Sequence, residues 1–98
     1  MSFVAISKVK YPKSLKEEIH SFGISMIPLA KSQPGFVSIS FHQSTDEDET
    51  MMYWEWNTQA DHEACMNSVD WNKLMEKSGG LFQTEGVDFS LATYVRLA

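Results

Sequence analysis

The stretch PGFVSISFHQSTDEDETMMYWEWN, residues 34–57, decides the fold. After the Pro34-Gly35 stop, Val37, Ile39 and Phe41 alternate with Ser38, Ser40 and His42, a period of two that a helix does not produce. Met52, Trp54 and Trp56 alternate in the same way with Met51, Tyr53 and Glu55. The two runs, Phe36–Ser44 and Met51–Asn57, therefore read as strands. Thr45-Asp46-Glu47-Asp48-Glu49 between them lacks the glycine and distal glutamate of an EF-hand loop, so it reads as a solvated hairpin tip and not a calcium site.

Upstream, Phe3–Tyr11 is a further strand, with Phe3, Ala5, Ser7 and Val9 on one face and Val4, Ile6, Lys8 and Lys10 on the other. Pro12 ends it. Ser14-Leu15-Lys16-Glu17 has the form of a capping box, in which hydroxyl and carboxylate each satisfy a backbone N–H at a helix start. Leu15, Ile19, Phe22, Met26 and Leu29 then give one apolar helical stripe. Pro28 removes the bond to the Ile24 carbonyl and predicts a kink or an early loosening.

Downstream, Thr58 caps a short helix with Asp61 in its first turn, and Ser68 caps a second piece after the break at Asn67-Ser68. Gly79-Gly80 ends that piece. Val87–Leu97 is the last strand, with Val87, Phe89, Leu91, Thr93 and Val95 on one face. The order is βαββαβ, the ferredoxin-like arrangement: an α+β fold with one antiparallel sheet and its helices on one face. The other face needs cover. The strand tryptophans and methionines are expected on it, where water would be costly, and a homodimer would bury them.

At 98 residues the chain supports one domain, residues 1–98. A net charge of −5, with one arginine (Arg96) and scattered lysines, is wrong for nucleic acid. The N-terminus lacks a signal peptide's basic and apolar regions, and no apolar run reaches the ~20 residues of a membrane span, so no membrane association is expected. Cys65 is the only cysteine; it allows no internal disulfide and suggests a reducing, cytoplasmic compartment.

Among titratable side chains, His62 opens the second helix. It is either a proton acceptor in a pocket or an exposed first-turn histidine. His20 lies one position off the apolar stripe and His42 opposite Val37, Ile39 and Phe41. The three histidines share no metal-ligand spacing, so no metal is expected. Cys65 reads as a small buried hydrophobe before a nucleophile. Trp54, Trp56 and Trp71 suit either the core or stacking on a flat ligand.

Pro34-Gly35-Phe36-Val37-Ser38 after an amphipathic helix, then Tyr53-Trp54-Glu55-Trp56, then Asn67-Ser68-Val69-Asp70-Trp71 on a broken helix, resembles the antibiotic biosynthesis monooxygenase family over nearly the whole chain. The resemblance implies a homodimer, an α+β barrel made of two sheets face to face, with a pocket in each subunit between sheet and helices. It also implies one of two chemistries. Some members oxidise phenols or quinols with molecular oxygen and no cofactor, and others degrade heme. The asparagine, tryptophan and histidine of the heme-degrading members align with Ser7, Cys65 and Met75, and loss of the histidine removes the iron ligand. Asp61 falls near a polar position of the cofactor-free enzymes, and Trp71 where a pocket aromatic is common. We therefore expect a cofactor-independent monooxygenase of a small aromatic molecule. His62 would assist deprotonation and Trp71 position the ring, while Ser7 and Cys65 shape the substrate wall. The alternative is a non-catalytic binding or regulatory dimer on the same fold.

Overall fold

The computed structural model describes all 98 residues. Its elements are β1 (Phe3–Lys10), α1 (Lys16–Lys31), β2 (Phe36–Gln43), β3 (Glu49–Trp56), α2 (Gln59–Met66), α3 (Val69–Lys77) and β4 (Asp88–Val95). The strands form one antiparallel sheet in the order β2-β3-β1-β4, as the ferredoxin-like reading requires. No helix is long and apolar enough to cross a membrane.

Pairing of Ala5 with Trp54 and of Ser7 with Met52 fixes which side chains share the helix side of the sheet. Trp54 and Trp56 pack there with Phe3, Ala5, Ala30 and Cys65. A second cluster, Val9, Tyr11, Ile19 and Val87, closes the other end under Leu15, Leu81 and Phe82. This corrects the expectation that the tryptophans and Met52 occupy the uncovered face. A period of two separates two faces but does not say which one the helices cover.

The uncovered face carries a polar cluster instead. Glu55, 4% exposed, accepts hydrogen bonds from the Ser2 hydroxyl, from the Tyr53 hydroxyl and, on both carboxylate oxygens, from Arg96 Nη1. The Ser2 bond, with Arg96 and Tyr53, holds the Glu55 carboxyl below its usual pKa against the opposing effect of burial.

Three local expectations change. A 3₁₀ turn over Lys13–Leu15, closed by Leu15 N–H on the Pro12 carbonyl, precedes α1, so the helix starts at Lys16 and Ser14 caps nothing. α1 runs through Pro28 to Lys31 without ending early. A bulge between Phe36 and Ser38 turns Val37 outward, and Phe36 takes its place opposite Trp56 beside Ile39 and Phe41. The caps of the second helical region form as read: the Thr58 hydroxyl accepts from Asp61 N–H and the Ser68 hydroxyl from Trp71 N–H.

β4 is exposed along its whole length. The chain has 6159 Å² of accessible surface and a radius of gyration of 13.5 Å. A compact monomer of this mass has about 5,700 Å² and about 12.6 Å. The excess belongs to a slab, 18 Å in its thinnest dimension, with one sheet face and one edge strand uncovered.

Candidate active site

The gap between the two core clusters is a cavity of about 300 Å³, at the small end of the ~300–1,000 Å³ range of ligand pockets. Its sheet side is Ala5, Ser7 and Val9 of β1 with Thr50, Met52 and Trp54 of β3. Ile19, Phe22, Gly23 and Met26 of α1 and His62, Met66, Trp71 and Met75 of α2 and α3 form the roof. Phe41, Phe82, Phe89 and Leu91 complete the lining, and no residue in it is charged. Phe89 and Leu91 stay 55% and 46% exposed, so the β4 side of the wall is thin.

One end of the cavity is an aromatic box around His62. Its imidazole lies 5.3 Å from the ring of Phe3, 5.5 Å from Trp54 and 6.1 Å from Trp56. Trp71 leans over Trp54 at 5.8 Å. His62 is on the inner side of α2 because Thr58 caps that helix and Cys65, three residues on, packs into the core. Burial pushes its pKa below the ordinary histidine value, with Glu63 opposing weakly, so the ring is neutral at neutral pH. His62 Nε2, Trp54 Nε1 and Trp56 Nε1 are buried without hydrogen-bond partners. His62 packs among the rings of Phe3, Trp54 and Trp56, and Trp54 among those of Trp56, His62 and Trp71.

Three of the four expected site residues, Ser7, His62 and Trp71, meet at the cavity. Cys65 does not. It is 1% exposed, packs with Trp54 and Trp56, and burial raises its thiol pKa to about 11. Asp61 also lies away from the cavity, its carboxylate accepting from the Thr58 hydroxyl and packing on the open side of Gly35. His20 Nε2 donates to the Gln43 side-chain carbonyl, and His42 pairs with Ser40 at the surface. No three His, Cys, Asp or Glu side chains group as metal ligands.

Sequence reasoning passed over two features. Thr50 shares the parity of Met52 and Trp54, so its place on the cavity face was legible. The contact of Gly23 with the Phe41 ring was not, because nothing local links the two positions. A Cβ on Gly23 would stand 2.3 Å from Phe41 Cζ.

The family model of the antibiotic biosynthesis monooxygenases matches residues 22–77, more than half of the chain. The chain belongs to that family. Among solved structures, Rv0793 from Mycobacterium tuberculosis superposes with a TM-score of 0.84 at 12% identity, over 100% of this chain and 97% of that one. PA3566 from Pseudomonas aeruginosa gives 0.81 at 15%, over 99% and 95%. SnoaB, a cofactor-independent oxygenase from Streptomyces nogalater, gives 0.78 at 10%, over 99% and 94%. At these identities the likeness is one of fold. No curated protein matches the chain. Within this monooxygenase family, the cavity above lies between sheet and helices, where the resemblance placed it.

Proposed function

We propose that this family member oxidises a small electron-rich aromatic or quinol with molecular oxygen and without a cofactor. The observation that carries the proposal is a neutral imidazole, His62, at the wall of an apolar cavity that has no other base. A phenol or benzylic carbon there gives its proton to His62, and the resulting anion is the reductant. Oxygen adds to carbon to form a C–O bond. The O–O bond then breaks as a second C–H proton leaves, so a CH₂ group and O₂ become C=O and H₂O. The four electrons come from substrate. Low polarity favours this sequence by excluding water and holding the reactants together. Trp71 positions the ring, and Ser7 shapes the wall beneath it.

The reading includes a homodimer that covers the open sheet face and the bare β4, and a reducing compartment such as the cytoplasm for the free, buried Cys65.

Oxygen uptake with a panel of hydroquinones and dihydroxyanthracenes tests the proposal. A substrate should raise uptake over the protein-free rate. His62→Ala should lower turnover ~100-fold or more, the range lost with a general base, while Trp71→Ala should chiefly raise KM. A folded protein inert to the whole panel, or both variants working at the wild-type rate, refutes it.

A further inference from the structure

Ser7 and Thr50 lie on the helix side of neighbouring strands. Ser7 pairs with Met52 and Val9 with Thr50, so the two hydroxyl residues are diagonal neighbours, roughly 7 Å apart. Both line the cavity. Thr50 is 2% exposed, yet no hydrogen bond within the chain uses its hydroxyl or that of Ser7. Neither oxygen is among the sealed, unpartnered polar atoms of the core, so each reaches the open space of the cavity, where a ligand oxygen can satisfy a hydroxyl that the fold leaves unpaired. The pair therefore presents unused donors and acceptors to the cavity.

These hydroxyls stand away from the His62 end. Ser7 lies two residues beyond Ala5, the partner of Trp54, and Thr50 lies four residues from Trp54. At ~3.4 Å per residue they are roughly 7 and 14 Å along the sheet from the Trp54 row. The lining between is apolar and carries no charge, so a carboxylate or ammonium inside would be desolvated without a counter-ion.

We infer that Ser7 and Thr50 form a second polar subsite, which holds a hydroxyl or carbonyl oxygen at the far end of a flat, uncharged ligand whose near end faces His62. The inference rests on the aromatic-oxidising reading above and narrows its substrate to neutral molecules oxygenated at both ends. Thr50 is then a specificity residue, acting on affinity for the distal oxygen and not on the chemistry at His62.

Calorimetric titration of the intact protein under anaerobic conditions tests this with naphthalene-2,6-diol, 2-naphthol and 6-hydroxy-2-naphthoate. Wild type should bind the diol about tenfold more tightly than 2-naphthol, equal to about 1.4 kcal/mol, and the anionic naphthoate more weakly than either. In the Ser7→Ala/Thr50→Val variant the diol should lose its advantage over 2-naphthol, whatever the change in 2-naphthol affinity itself, and Ser7→Ala/Thr50→Ser should recover part of it. The subsite is refuted if the tenfold ratio survives in the Ser7→Ala/Thr50→Val variant, or if both naphthols weaken equally. Binding of the naphthoate as tightly as the diol, or no binding of either naphthol, refutes it too. Because no oxygen is present, failure of turnover with every quinol counts against the monooxygenase reading alone.

Discussion

Substituting Gly23 with alanine should destabilise the protein, although alanine is the better helix residue. In the middle of α1 the change is worth about 1 kcal/mol in the favourable direction. The new methyl, however, would stand 2.3 to 2.7 Å from Cζ, Cε2 and Cε1 of Phe41. Those atoms are the far end of a side chain that lines the cavity, so the ring can move, but only by leaving its packed position. Overpacking of this kind costs ~1–3 kcal/mol. The net effect is a loss of ~0–2 kcal/mol, and at ~4–8 °C per kcal/mol for a domain of this size Tm should fall by up to ~16 °C. The same substitution in a Phe41→Leu background meets no ring and should raise Tm by ~4–8 °C. Thermal and urea unfolding of the four proteins therefore form a double-mutant cycle with a coupling of ~1–3 kcal/mol. Additive effects, with Gly23→Ala stabilising both backgrounds equally, would refute the contact and with it the role of Phe41 as a fixed wall.

Three further outcomes are expected. Because the His62 pKa is lowered in the folded protein, its unfolded form takes up a proton first as pH falls. The neutral buried ring thus contributes full stability above about pH 6.5 and progressively less below it. In urea melts at pH 8 and pH 5, wild type should lose stability relative to His62→Phe, and a constant difference would contradict this. Ser68→Ala should cost ~1 kcal/mol through its lost cap on α3, whereas Ser14→Ala should change stability by less than ~0.5 kcal/mol; equal losses would restore the capping box. Sedimentation at micromolar concentration should show a dimer burying more than ~1,000 Å² in total, and a monomer there removes the proposed cover for the open sheet face.

The alternating runs and the caps were legible because each depends on neighbours in sequence: strand parity, Thr58 before α2, Ser68 before α3. Ser14 misled because Pro12 closes a 3₁₀ turn first, which delays the helix past the residue that would cap it. Val37 misled because one inserted residue reverses parity. The face assignment of Trp54 and Trp56 was beyond a local reading, since it is decided by which side α1 to α3 fall on. Of the site, His62 and Trp71 could be proposed from residue type and resemblance. His62 and Cys65 share the inner face of α2, and excluding Cys65 from the cavity required knowing where α2 meets the Trp54 and Trp56 cluster, which no local pattern gives.

The three tryptophans of the chain, Trp54, Trp56 and Trp71, form one contiguous group, with ring centroids 5.1 and 5.8 Å apart. Rings this close do not absorb or emit independently. Their transitions couple, and excitation passes among them before a photon leaves. The protein thus carries an optical reporter that nobody needs to attach, and it sits against His62 and the cavity. Near-ultraviolet circular dichroism should be strong for so small a chain and should collapse as soon as side-chain packing loosens, while the far-ultraviolet signal of the backbone persists. Whatever enters the cavity beside Trp54 and Trp71 announces itself in their emission.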